Sequence, residues 1–160
     1  MAWVATTKQR NAKRQGGGQI VAYRMTASAT IYKGDIVRID KTTGVATGAL
    51  ATGGMATGDV FAGIAAETKT AHATLVTYIN VYTTGIFEFN TLDTAAVGDI
   101  GEVMYQDSAG TLTEGGSYCV LAATAGHDLK IGTCVDFPTT AKRLVRIDGY
   151  AGHAANGVAD

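Results

Sequence analysis

One short pattern runs through this chain twice, in the same order, and it limits the available folds more than any other feature. Gly34-Asp35-Ile36 is answered by Gly98-Asp99-Ile100, and Thr43-Gly44-Val45-Ala46-Thr47 by Ala109-Gly110-Thr111-Leu112-Thr113. Ala62-Gly63-Ile64-Ala65-Ala66-Glu67 is answered by Ile131-Gly132-Thr133-Cys134-Val135-Asp136, and Val81-Tyr82-Thr83-Thr84-Gly85 by Val145-Arg146-Ile147-Asp148-Gly149. The spacings lie between 64 and 69 residues and drift only as loop insertions require. Such recurrence predicts one duplicated unit of about 60–70 residues. Two copies are too few for a solenoid. The halves are therefore expected to cover each other's apolar faces in one compact β-sandwich or barrel.

The local patterns are those of strands. Ile20-Val21-Ala22-Tyr23 comes first. In Asp35–Asp40, Val37 and Ile39 fall on one face while Arg38 and Asp40 fall on the other, the period of a half-buried strand. Lys41-Thr42-Thr43-Gly44 reads as a turn and Val45-Ala46-Thr47 as the return of a hairpin. Residues 74–89 carry apolar groups on both faces, at Leu75, Val76, Tyr78, Ile79, Val81, Tyr82, Ile86, Phe87 and Phe89. That stretch is expected to be central or to face a neighbouring chain, with Phe87 and Phe89 as the self-association residues. Asn90–Val97 has a capping Asn for one helical turn but is too short to stand alone. The fold class is all-β. With 46% hydrophobic and 17% charged residues, 21 Gly and a single Pro, the chain suits short strands and tight turns, not disorder. At 160 residues it has enough length for a core without disulfides or metal.

Residues that carry chemistry are sparse. His72, His127 and His153 lie far apart, with no metal-ligand spacing. His127-Asp128 has the form of an oriented base, but Ser117 and Cys119 lack a nucleophile-elbow context. Cys119 and Cys134 form no CxxC and read as two small buried thiols. Gly16-Gly17-Gly18-Gln19 lacks the Lys-Ser/Thr of a phosphate loop. Glu67, Glu88, Asp93 and Glu102 are scattered among strands and turns. No enzyme, metal or cofactor is expected.

Charge is distributed unevenly. Lys8, Arg10, Lys13, Arg14, Arg24 and Lys33 all precede the first acidic residue, Asp35, although the net charge is −1. Residues 1–19 read as an extended basic arm ending in a glycine hinge. Trp3 and Val4 are its large apolar groups, and a Trp there is an anchor for a pocket on a partner. Its four cations suit phosphates, carboxylates on a protein surface, or a solvated tail; protein docking is favoured over nucleic acid. Residues 20–150 form the β-domain, with halves at about 20–90 and 91–150, and 151–160 read as a flexible tail. The start, Met1-Ala2-Trp3-Val4, has no apolar leader, and no run reaches a membrane span.

Taken in order, Lys33-Gly34-Asp35-Ile36-Val37, Phe61-Ala62-Gly63-Ile64-Ala65, Val81-Tyr82-Thr83-Thr84-Gly85-Ile86-Phe87-Glu88-Phe89, Gly98-Asp99-Ile100-Gly101-Glu102-Val103-Met104-Tyr105 and Ile131-Gly132-Thr133-Cys134-Val135 resemble the small capsid decoration (cement) proteins of tailed bacteriophages. The resemblance covers about residues 20–150, and Tyr150–Asp160 has no counterpart in it. It implies a compact β-domain, made in the bacterial host cytoplasm, that sits on the outside of the virion as a homotrimer. Its partner would be the major capsid protein, with Trp3, Lys8, Arg10, Lys13 and Arg14 as the capsid-binding arm. A carbohydrate- or receptor-binding module of a phage spike or fibre is the alternative, with Tyr32, Tyr78, Tyr105, Tyr118 or Tyr150 stacking on sugars. The scarcity of Trp weighs against it.

Overall fold

The computed structural model of the chain describes residues 19–48, 59–91, 94–106, 118–120 and 129–148. These residues form an almost purely β fold. The first half supplies β1 (Ile20–Arg24), β2 (Thr30–Ile31), β3 (Ile36–Ile39), β4 (Ala46–Gly48), β5 (Val60–Ala65), β6 (Lys69–Thr70) and β7 (Tyr78–Tyr82). The second supplies β8 (Thr84–Thr91), β9 (Val103–Gln106), β10 (Tyr118–Val120), β11 (Leu129–Thr139) and β12 (Lys142–Asp148). A 3-10 turn lies at Val97–Asp99, at the far end of the Asn90–Val97 segment expected to form one helical turn; Asn90, the expected cap, belongs to β8 instead.

Two five-stranded sheets carry the fold. One runs β1-β7-β5-β3-β4; the other runs β8-β12-β11-β9-β10 and closes into a barrel through parallel pairing of β10 with β8. The strand orders are the same. In the first sheet the edges meet through one parallel bridge, Met25 to Ala46, which occupies the place of the Thr91–Cys119 pair in the second. β2 and β6 form a separate two-stranded ribbon.

The equivalence extends to single hydrogen bonds. Gly34 N–H donates to Ala65 O at 2.9 Å, and Ala65 N–H to Asp35 O at 2.9 Å. In the second barrel Gly101 N–H donates to Cys134 O at 2.8 Å, and Cys134 N–H to Glu102 O at 2.9 Å. The counterpart of Gly34-Asp35 is therefore Gly101-Glu102 and not Gly98-Asp99, three residues from the expected match. Gly34 and Gly101 share a left-handed φ, 89° and 92°, which glycine adopts at no steric cost. The reason for the offset is local: Asp35 accepts from Tyr32 N–H and Asp99 from Ala96 N–H, each at 2.9 Å. The same Gly-Asp turn chemistry thus occurs once more, one turn earlier, in the second half. The change of sheet falls between Tyr82 and Thr84, so β8 pairs within the second barrel, ahead of the expected division near residue 90.

Glycine also sets the spacing between strands. Gly63 pairs with Val37 and Gly132 with Met104, each beside a bulge that leaves Ala62 or Ile131 unpaired. Both bulged residues are buried, as expected where an extra residue re-aims a side chain.

Val37 and Ile39 share a face of β3 as the period of two predicts, but the strand is not half-buried: Arg38 on the opposite face is buried and Ile39 only partly so. Val37 and Ile39 pack with Met25, Ala46, Ala62, Ile79 and Val81 inside the first sheet. On the other face, Ile36, Phe61 and Ile64 join the buried cluster of Phe87, Phe89, Met104, Leu129, Ile131, Val145 and Ile147. Tyr82 stacks at a tilt on Phe87, with centroids 5.9 Å apart. β3 and β5 are thus covered on both faces, one by their own sheet and one by the second barrel. Leu75 and Val76 lie outside any strand, in the exposed segment before β7, so the strand expected from residue 74 begins at Tyr78.

Candidate interaction surface

Charged side chains inside the body are occupied with each other. Arg143 is fully buried, donating from Nε and Nη2 to Asp99 Oδ2 at 2.9 and 2.6 Å and from Nη1 to Thr91 Oγ1. Its Nη2 also donates to Thr94 O at 3.4 Å. In the first sheet the matching places on β7 and after β1 hold Ile79 and Met25, both apolar. Arg38 pairs with buried Asp59, whose Oδ1 accepts from Lys41 N–H at 3.1 Å. Such pairs hold one geometry, because breaking one leaves a buried charge. They are built as struts: each carboxylate is taken up by protein donors.

Of the histidines and cysteines singled out in the sequence, the side chains of His72 and Cys134 are described. His72 is exposed, and its Nδ1 accepts from Thr74 N–H and Leu75 N–H, each at 3.1 Å, organising the loop before β7. His127 and His153 lie outside the described residues. Cys134 is a buried free thiol, pushed up from the ordinary thiol value by that burial. Thr42 and Thr43 N–H donate to Asp40 Oδ1 at 2.7 and 3.0 Å, which holds that carboxyl below the usual range. Among the described residues no three His, Cys, Asp or Glu side chains gather to hold a metal.

What the described surface does offer is apolar. Leu75 is 67% exposed, Val76 56% and Tyr78 53%; Val97 and Ile100 are exposed in the turn before β9, and Ile20 at the start of β1. Leu75 and Val76 line a cleft of about 250 Å³ together with Met25, Val45 and Ala73, the polar Thr26 and Thr74, and Arg24. Among the described residues no carboxylate lines it.

The expected site residues fare differently. Phe87 and Phe89 are each 0% exposed, inside the second barrel of their own chain. They are core residues, not a self-association face, because β8 turns them toward Met104, Leu129 and Val145. Trp3, Lys8, Arg10, Lys13 and Arg14 lie outside the described residues, as do the proposed arm and tail apart from Gln19. Of the tyrosines, Tyr78 is exposed, Tyr32 and Tyr105 are half-buried, and Tyr150 is outside the description.

No helix among the described residues is long and apolar enough to cross a membrane. No protein-family model, curated protein or solved structure matches the chain.

Proposed function

We propose that this chain is a bacteriophage capsid decoration protein that binds the outside of the head, bridges subunits of the major capsid protein and stabilises the shell. It acts without catalysis, as a homotrimer, on the virion surface. The observation that carries the reading is the set of large apolar side chains left in water at Leu75, Val76 and Tyr78 on a body whose internal charges are paired. Exposed apolar groups of this kind gathered at one place suit contact with protein. The resemblance of residues 20–150 to decoration proteins supports it, as does the concentration of Lys8, Arg10, Lys13 and Arg14 ahead of every acidic residue. A protein that contacts only the intact shell stabilises that state by mass action. Many repeats of an interface of about 1,600 Å² give large collective strength.

The test replaces Lys8, Arg10, Lys13 and Arg14 together by Ala and measures co-sedimentation with undecorated heads across a salt series. The wild type is expected to bind and to weaken with salt, and the variant to bind poorly at every salt concentration. Equal binding by both proteins would remove the arm from the account.

A further inference from the structure

We infer that His72 is a proton-operated latch on the loop that presents Leu75 and Val76: its neutral imidazole fastens residues 72–75, and protonation releases them. This deepens the reading above, as a regulation of the same surface, and rests on it.

Residues 71–77 join β6 to β7 as a loop tied to the body at both ends. Ala71 N–H donates to Ala29 O, and Met25 N–H to Thr77 O, each at 2.8 Å. Between those ties two side chains supply the order. His72 N–H donates to Thr77 Oγ1 at 3.0 Å, and Thr77 Oγ1 donates to Leu75 O at 3.4 Å. His72 Nδ1 accepts from Thr74 N–H and Leu75 N–H, each at 3.1 Å, and lies 3.2 Å from Thr74 Oγ1. A ring nitrogen that accepts from backbone donors carries no proton, so the ring proton sits on Nε2. Leu75 and Val76 are exposed, so packing contributes little to holding them in place. The hydrogen bonds do that.

The same arrangement occurs after β3 with a different acceptor. Asp40 Oδ1 accepts from Thr42 N–H and Thr43 N–H at 2.7 and 3.0 Å. Those donors lie two and three residues beyond Asp40, as Thr74 and Leu75 lie beyond His72. Asp and Asn are the usual side chains in such a turn. The carboxylate keeps its acceptor into acid, because the two N–H groups hold its proton affinity low. Imidazole does not: histidine gains its charge within the physiological range, and an imidazolium has donors only. The bonds from Thr74 and Leu75 therefore exist above the titration of the ring and are lost as pH falls through it. The ionisable groups on the surrounding elements are Arg24 at the end of β1, Lys69 of β6 with its partner Glu67 at 3.7 Å, Asp40 and Lys41 in the hairpin that carries Val45, and Tyr78 of β7. Among the described residues no carboxylate hydrogen-bonds to the ring, so nothing there holds it in place once Nδ1 is protonated.

The test uses isotope-labelled full-length protein between about pH 8 and pH 5, as wild type, His72→Asn and His72→Ala. Nuclear magnetic resonance reads the ring nitrogens of His72 and the amide shifts and exchange rates of Thr74 and Leu75. At neutral pH the ring is expected to carry its proton on Nε2. Both amides should titrate with the ring. Their exchange, corrected for its intrinsic pH dependence, should quicken roughly tenfold on protonation, the effect of losing one ordinary hydrogen bond. The amides of Thr42 and Thr43 should stay unchanged over the same range. His72→Asn keeps an acceptor that does not titrate and should hold both amides protected throughout, whereas His72→Ala should leave them open throughout. A proton on Nδ1 at neutral pH, amides that ignore the ring, or acid opening in His72→Asn would each overturn the inference. Co-sedimentation with heads over the same range is expected to weaken in acid for the wild type and to hold for His72→Asn. Binding that ignores pH while the amides respond would take Leu75 and Val76 out of the proposed contact and leave the latch standing. Unresponsive amides would remove the latch and leave shell binding standing.

Discussion

Gly63 and Gly132 hold the same place in the two five-stranded sheets: a β-carbon on either would collide with a backbone carbonyl oxygen of the adjoining strand, Tyr82 O for Gly63 and Arg146 O for Gly132. At Gly63 the φ of 141° adds a backbone conformation that side chains rarely adopt. Gly63→Ala and Gly132→Ala are each expected to destabilise by about 3 kcal/mol or more, beyond the usual range for a surface change. Urea unfolding of the two variants checks this. Gly44, with open space around its α-carbon, should tolerate Ala far better despite its φ of 69°.

Arg143 is the most costly side chain to truncate in the second barrel. Arg143→Met leaves Asp99 buried with one donor, Ala96 N–H, in place of three. A loss of about 3–5 kcal/mol is expected. Adding Asp99→Asn should restore part of it, since the remaining side chain is neutral. A double-mutant cycle on unfolding free energies measures the coupling, and strict additivity would mean the pair does not act as a strut.

Phe89→Ala should cost about 3–5 kcal/mol through the cavity it leaves, while the oligomeric state of the folded fraction stays that of the wild type. Light scattering at matched concentration checks the second part. A change of oligomer without loss of stability would put Phe89 back on a surface.

Two groups set opposite pH dependences. Asp40 is held low by the Thr42 and Thr43 N–H groups, so its contribution is full above the ordinary carboxylate value near 3.9. It is lost as pH falls through the lower folded value. The stability gap between wild type and Asp40→Ala should close in acid. Cys134 is pushed up by burial, so its contribution is full below the ordinary thiol value and lost as pH rises through the higher folded one. Peptide-resolved alkylation should reach Cys134 only on unfolding.

The sequence made some of this legible. Val37 and Ile39 alternate with Arg38 and Asp40, and the period put that pair on one face; it did not show that Arg38, paired with Asp59, would be buried as well. The second Gly-Asp turn misled because Asp35 and Asp99 accept from the N–H three residues back in the same manner, and only the hydrogen bonds to Ala65 and Cys134 tell the turns apart. Phe87 and Phe89 against Leu75 and Val76 shows a different limit. Apolar character does not reveal which face the chain covers with its own strands; that depends on Met104, Leu129 and Val145, far along the sequence. Arg143 hides for the same reason: its partners Asp99 and Thr91 lie 44 and 52 residues away.

The central claim, attachment to the outside of a phage head, is tested most directly by sedimentation. Purified full-length protein is titrated into undecorated tailed-phage heads, and the pelleted fraction is measured. Binding should saturate at a fixed copy number divisible by three, and the decorated heads should withstand more heating before releasing DNA. Protein that stays in the supernatant at every ratio contradicts the account.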